Sequence, residues 1–221
     1  QTIRASIDWS WNLISNAERM LLRRLAVFAG GWTLESAESI CSNDGIAPHQ
    51  ILELTTRLVA KSLVIVDQES GRERRFHLHE TIRQYAHEKL AGAGEEENLR
   101  SLHLKYFLEL SELDEPALHG IQQTEWFNRI NDERGNIRVA LEYASRNNPE
   151  AGSYLAGRLT HYWDNFDLRE GLIWTTEFVQ KQESKEHPHA HARVLLTQGE
   201  ILWYLQQFDA ARSAAEESLA L

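Results

Sequence analysis

His79 and Glu80 stand where an alternating stretch, Glu73-Arg-Arg-Phe-His-Leu78, gives way to a helical one that runs from Glu80 to Leu90. An imidazole at the start of a helix is well placed to meet an anion. It donates one hydrogen bond when neutral and a charge-assisted one when protonated. The helix start adds unsatisfied backbone N–H groups and the positive end of a dipole. His77 lies two residues back, but the helix begins at His79, so the two rings are not expected to share a metal. His187-Pro-His-Ala-His191 has no Cys or acidic ligand at matching positions and reads as a solvated helix start. Cys41, in Ser39-Ile-Cys-Ser42, reads as a small apolar helix residue or a reactive thiol. The sequence contains no paired nucleophile and base, and no Gly-x-x-x-x-Gly-Lys-[Ser/Thr] phosphate loop. By itself the chain is not expected to be an enzyme, and no metal or cofactor is expected in it.

Bulk properties set the frame. The chain of 221 residues, 42% hydrophobic and 25% charged, fits one to two globular domains. It has no apolar run of membrane-spanning length and no signal-peptide pattern, and its single cysteine suits a reducing cytoplasm. The net charge of −10 is unevenly placed. Residues 1–94 carry 11 Lys and Arg against 11 Asp and Glu, whereas residues 95–221 carry 12 against 22. An acidic second half would repel a phosphate backbone. The two parts are therefore expected to have different partners.

The elements that position His79 can be read from the spacing of apolar residues. Ile3, Ile7, Trp11 and Ile14 predict a helix over 2–14, and Ser15-Asn-Ala-Glu18 is a capping box opening a second helix that Gly30-Gly31 ends. Thr33 restarts a short helix through Cys41, and Pro48 opens another that runs to about Lys61. Ser62-Leu-Val-Ile-Val-Asp67 and Glu73–Leu78 predict two strands around the turn Glu69-Ser-Gly-Arg72. Three helices followed by a two-stranded wing make a winged helix over residues 1–94. As a DNA reader it would offer Arg57 and Lys61 on the helix 48–61 and Arg72, Arg74 and Arg75 on the wing. That is short of the six to ten phosphate contacts of a salt-sensitive binder, and the same arginines also read as a solvated wing tip.

Glu80-Thr-Ile-Arg-Gln-Tyr-Ala86 resembles a Leu-Glu-Thr-x-Arg-x-Tyr-Ala motif of bacterial STAND (NB-ARC-type) signalling ATPases that carry TPR repeats, and Leu78-His79-Glu80 resembles their Met-His-Asp motif. Phe28-Ala-Gly-Gly-Trp-Thr-Leu-Glu35, Leu58-Val-Ala-Lys-Ser-Leu-Val64 and Glu133-Arg-Gly-Asn-Ile-Arg-Val-Ala-Leu141 are similar to further parts of the same family. Leu78 and Glu80 depart conservatively from Met and Asp. The resemblance implies that His79 contacts the β-phosphate of ADP and holds an ATPase closed, with Glu80 stabilising the helix start or orienting His79. It also implies an upstream nucleotide-binding domain that supplies the ADP or ATP site. The reading from spacing alone is that His79 packs beneath the wing.

Past Gly92-Ala-Gly94, residues 95–149 read as a linking helical bundle, with a loop at Pro116–Gly120 and one long helix over 122–146. From 150 to 221 the pattern becomes TPR-like helix pairs, 150–164 with 168–182 and 189–205 with 208–221, repeating at 40 residues. Trp163, Trp174, Trp203 and Tyr204 are candidates for a surface that takes a protein or peptide, or for core. The expected fold is therefore mainly α: a winged helix with one β-hairpin, a bundle and the start of an α-solenoid. Gln1 and Leu221 both lie in helical patterns without stop signals, which predicts a segment of a larger protein. The expected function is regulatory, in a cytoplasmic signal-transduction ATPase, with nucleic acid not an expected partner. The alternative is a winged-helix DNA-binding transcriptional regulator with a TPR interaction domain.

Overall fold

A computed structural model describes residues 3–67, 73–113 and 122–221. The turn at Glu69–Arg72 and the loop at Pro116–Gly120 lie outside the described residues. The chain divides into two compact units, Gln1–Tyr106 and Phe107–Leu221.

The first unit runs α1 (Ile3–Leu13), α2 (Asn16–Leu25), β1 (Trp32–Thr33), α3 (Leu34–Cys41), α4 (Pro48–Ala60), β2 (Ile65–Asp67), β3 (Arg75–His77) and α5 (Glu80–Gly92), then enters α6 (Glu96–Leu113). Local chemistry explains the starts. Ser15 and Glu18 close the capping box of α2, with the Ser15 amide donating to Glu18 at 2.7 Å. Thr33 and Ser36 do the same for α3, and Pro48 stands in the first turn of α4, where its missing N–H is no loss. Leu21, Leu25, Phe28, Ile40, Ile51, Leu58 and Phe76 form the shared core.

The wing is part of a three-stranded antiparallel sheet in the order β1-β3-β2, not a lone hairpin, because Trp32 and Thr33 pair with Phe76 and Arg75. Gly31 permits this approach. Its φ of +107° lies in the left-handed region, and a Cβ there would sit 2.7 Å from the Phe76 carbonyl oxygen. Trp32 is then stacked between Phe28 and Phe76, with ring centroids 5.7 and 6.3 Å away. Arg24, almost fully buried, donates to the carbonyls of Cys41, Asn43 and Asp44 and to the Glu95 carboxylate. It thereby fixes the turn between α3 and α4. Cys41 is fully buried and its thiol is pushed up to about 12 by that burial. The reading as an apolar helix residue holds, and the reactive-thiol alternative does not.

In the second unit come α7 (Gln122–Asp132), α8 (Arg134–Asn147), α9 (Pro149–Arg158), α10 (Thr160–Phe166), α11 (Leu168–Gln180), α12 (Gln182–Lys185), α13 (Pro188–Tyr204) and α14 (Phe208–Leu219). Two expected continuous helices are broken. The helix expected over 122–146 stops at Glu133, whose buried carboxylate accepts from the Asn136 side chain at 2.5 Å. The helix expected over 150–164 breaks at Leu159, where the Gly157 carbonyl accepts from Thr160, Arg193 and Thr197. Side-chain hydrogen bonds of polar groups accompany both breaks, and the spacing of apolar residues does not register them. No helix among the described residues is long and apolar enough to cross a membrane.

Candidate functional site

The buried face of α5, formed by Ile82, Tyr85, Ala86 and Leu90, holds that helix in the first unit's core and leaves its N-terminus outward. His79 is the N-cap residue there. Its side chain is exposed and makes no capping bond, while its carbonyl accepts from the Arg83 amide at 2.9 Å. The alternative in which His79 packs beneath the wing does not fit this exposure; among the described residues its ring meets the edge of His77, at 6.5 Å between ring centroids. His77 is engaged elsewhere, with Nδ1 2.9 Å from Asp67 across β2 and β3.

Glu80 does not orient His79. Its carboxylate accepts from Arg83 Nε and Nη2 at 2.8 and 2.9 Å and from Gln84 Nε2 at 2.8 Å. Those hydrogen bonds, Arg83's first, hold it below the usual carboxylate range. It is the first-turn acid of α5, bonded to its own helix. What remains at the joint is an exposed imidazole on the N-cap residue of a 13-residue helix, and helix N-termini in general can receive phosphate-like anions.

The candidate DNA-reading residues are less uniform than their types suggest. On α4, His49, Leu52, Thr56 and Arg57 are exposed, and Arg57 meets Glu53 at 2.5 Å across more than half-exposed side chains. Such a surface pair is worth only about 0.3–0.5 kcal/mol and yields readily to a phosphate. Lys61 is different, because its ammonium is paired with the buried carboxylate of Glu18. Arg74 is exposed, Arg75 is half-buried within β3, and Arg72 lies outside the described residues.

Of the four candidate partner-surface aromatics, Trp163 belongs to the core: it is fully buried and its indole N–H donates to the Ala156 carbonyl at 3.0 Å. Its place on a partner surface is thereby corrected. Trp174 is half-buried and stacked on Phe178. Trp203 and Tyr204 are exposed and border a cleft of about 490 Å³ together with Leu196 and Phe208. Leu196 and Phe208 lie outside the four candidate partner-surface aromatics; sequence reading places them only at repeat-consensus positions. It also missed a polar cluster in the second unit, where Arg134 and Arg138 both donate to Glu170 and Arg134 also to Asp167. One turn of helix separates the two arginines, a spacing that the family-like stretch already displayed. Among the described residues no group of three or more His, Cys, Asp or Glu could hold a metal ion.

Comparison with known proteins matches residues 14–91 to the winged helix-turn-helix domain. The element order and the β1-β3-β2 sheet agree with that match. Over 185 residues the chain is 37% identical to a Mycobacterium tuberculosis protein provisionally named as an HTH-type transcriptional regulator, and to its counterpart in Mycobacterium bovis. The match takes in 82% of this chain and 20% of each relative, so the chain spans about a fifth of their length. An uncharacterised Mycobacterium tuberculosis protein is 36% identical over 123 residues, 55% of this chain and 31% of that protein. No solved structure matches the chain.

Proposed function

From a winged helix-turn-helix domain followed by paired helices, we propose that this chain is a regulatory segment of a larger cytoplasmic transcriptional regulator. The winged helix contacts duplex DNA through α4 and the wing, and the paired helices take a protein or peptide. The supporting observation is that 37% identity runs over 185 residues, beyond the matched domain and into the second unit. The similarity to proteins provisionally named as regulators thus extends past the winged helix. On this reading His49, Thr56 and Arg57 face the groove, and Arg57, Arg74 and Arg75, with Arg72 on the wing, meet phosphates. Lys61 stays with Glu18. The test is duplex binding by the 221-residue chain across a salt series. Three to four phosphate contacts give a slope of about −3 in log K against log salt, and each arginine changed to alanine reduces it by about 1. Binding that ignores salt, or no binding at low salt, would sink this reading.

A second reading is favoured by the exposed, uncapped imidazole of His79 at the N-terminus of α5. Here the parent protein is a STAND-type signal-transduction ATPase, its upstream domain holds ADP or ATP, and His79 latches the ADP state while the paired helices sense the partner. Glu80 then serves by stabilising the helix that carries the latch. Calorimetry with ADP should show no tight binding to the 221-residue chain, which has no phosphate loop. In the parent protein His79→Ala should lose ADP retention and raise basal output. Unchanged retention and output would remove the latch.

A further inference from the structure

Within the second unit, α13 lies along α9 and α11 as well as α14, and the chemistry of that seat is specific. The Arg193 and Thr197 side chains donate to the Gly157 carbonyl at 3.1 and 2.7 Å, and the hydroxyls of Thr160 and Thr197 are 2.7 Å apart. Ile201 reaches Gly171 so closely that a Cβ there would lie 2.9 Å from its Cδ1 and 2.6 Å from Trp163 Cγ. Trp163 forms the floor, 1% exposed, with Ala156 and Leu159 both 0% exposed beside it.

A shift of 40 residues carries Ala156, Leu159, Trp163, Leu168 and Gly171 onto Leu196, Gly199, Trp203, Phe208 and Ala211. These five line the cleft on α13 and α14. The same seat therefore recurs one period on, with a tryptophan again at its floor position, but uncovered: Leu196 is 42%, Trp203 62% and Phe208 49% exposed. Trp203 there meets the edge of Phe208, at 5.0 Å between ring centroids. An apolar surface of this kind on the face where the preceding pair seats a helix marks an interaction site.

We propose that this cleft seats an amphipathic helix built like α13, the next member of the 40-residue series, which covers Trp203 as α13 covers Trp163. The occupant presents a short or β-branched side chain toward Ala211, as Ile201 is presented toward Gly171. Its polar residues pair with Glu200 and Arg212, which line the same cleft with opposite charges. The proposal does not depend on what the winged helix binds.

The test repeats residues 182–221 once after Leu221, which keeps the 40-residue period, with tryptophans replaced by 5-fluorotryptophan and the Trp203 resonance assigned through Trp203→Phe. Repeat arrays gain stability from each correctly seated neighbour. The expected result is a higher Tm and loss of at least half of the solvent isotope shift of Trp203. Leu196→Glu combined with Ala215→Glu should abolish both effects. If the added segment contributes no helix by circular dichroism, the peptide Pro188–Tyr204 supplied in trans reads the same resonance, a saturable shift supporting the proposal and no shift overturning it. The proposal is also overturned if Trp203 stays solvated in the folded extended chain, or if protection survives the two glutamates. Self-association of the unextended chain that buries Trp203 overturns it too, by making a second copy the occupant.

Discussion

The Lys61 ammonium at the end of α4 is paired with the carboxylate of Glu18, the residue that also closes the capping box of α2. One carboxylate thus serves two elements, with a side chain only 3% exposed. Burial pushes the Glu18 carboxyl up, but hydrogen bonds from Lys61 and from Ser15 together outweigh it and leave the group below its usual value.

Lys61→Met should therefore destabilise the chain, by about 1–2 kcal/mol at pH 7. This is less than the ~3–5 kcal/mol of a fully buried broken pair, because the lysine end is partly solvated. Glu18 stabilises the fold while it is ionised, above its unfolded pKa, and loses that contribution as pH falls through its lower folded value. The penalty of the substitution should shrink in the acid range. Urea midpoints of both proteins at pH 7 and pH 3 measure it, and an equal gap at the two values would contradict the pairing.

Glu95 gives a steeper acid dependence. Hydrogen bonds from Arg23 lower its pKa first, burial works against them, and Arg24 adds to the lowering, leaving it at about 2 against the ordinary 4.5. The contribution is complete above about pH 4.5 and is lost as pH falls toward 2. Glu95→Gln should cost about 1–2 kcal/mol at neutral pH, below the full conversion of the pKa difference because solvent reaches the carboxylate. At pH 2 the variant and the parent chain should unfold at the same urea concentration.

Asp164 has the opposite sign. Burial, and then the charge of Glu200, raise its pKa to about 6, and its Oδ1 has no hydrogen-bond partner among the described residues. The folded state binds this proton more tightly than the unfolded chain does, so stability declines as pH rises from about 4 to about 6. Asp164→Asn should raise stability at pH 7 by about 1–2 kcal/mol, discounted for its half-exposed setting, and by nothing at pH 4. Thermal melts across this range would show the gap opening with pH, and a gap that opened toward acid would refute it.

His79→Ala should leave the stability of the chain within about 0.5 kcal/mol, since the imidazole is exposed and caps nothing. A drop of several degrees in Tm would show that the ring packs after all. A neutral result ensures that any change in nucleotide retention by the parent protein arises at the site itself.

Much of the first unit could be read from local chemistry. Ser15 with Glu18, Thr33 with Ser36, and Pro48 announce three helix starts within a few residues of themselves, and the winged-helix order follows. β1 could not be read this way, because two residues carry no alternation and become a strand only when Gly31 lets them reach Phe76. The carboxylate partners of Arg24 and Lys61 lie 71 and 43 residues away, so no window of sequence shows which charges are already spent. His79 was legible as a joint residue, but its exposure was not. Trp163 and Trp203 make the limit plain: they occupy the same position of the repeat, and one is buried while the other is open. Their difference depends on whether a neighbouring helix is present, which their own surroundings in sequence do not reveal.

Cys41 has a practical consequence. Burial pushes this thiol far above its usual range, so it stays protonated at neutral pH, and the thiolate is the reactive form. Full burial adds a steric barrier to any reagent. As the chain's single cysteine, it leaves the folded protein silent to maleimides. A cysteine introduced at Arg74 or Leu52 can therefore carry a lone fluorophore or spin label without removing the native residue, reporting directly on what approaches the wing or α4.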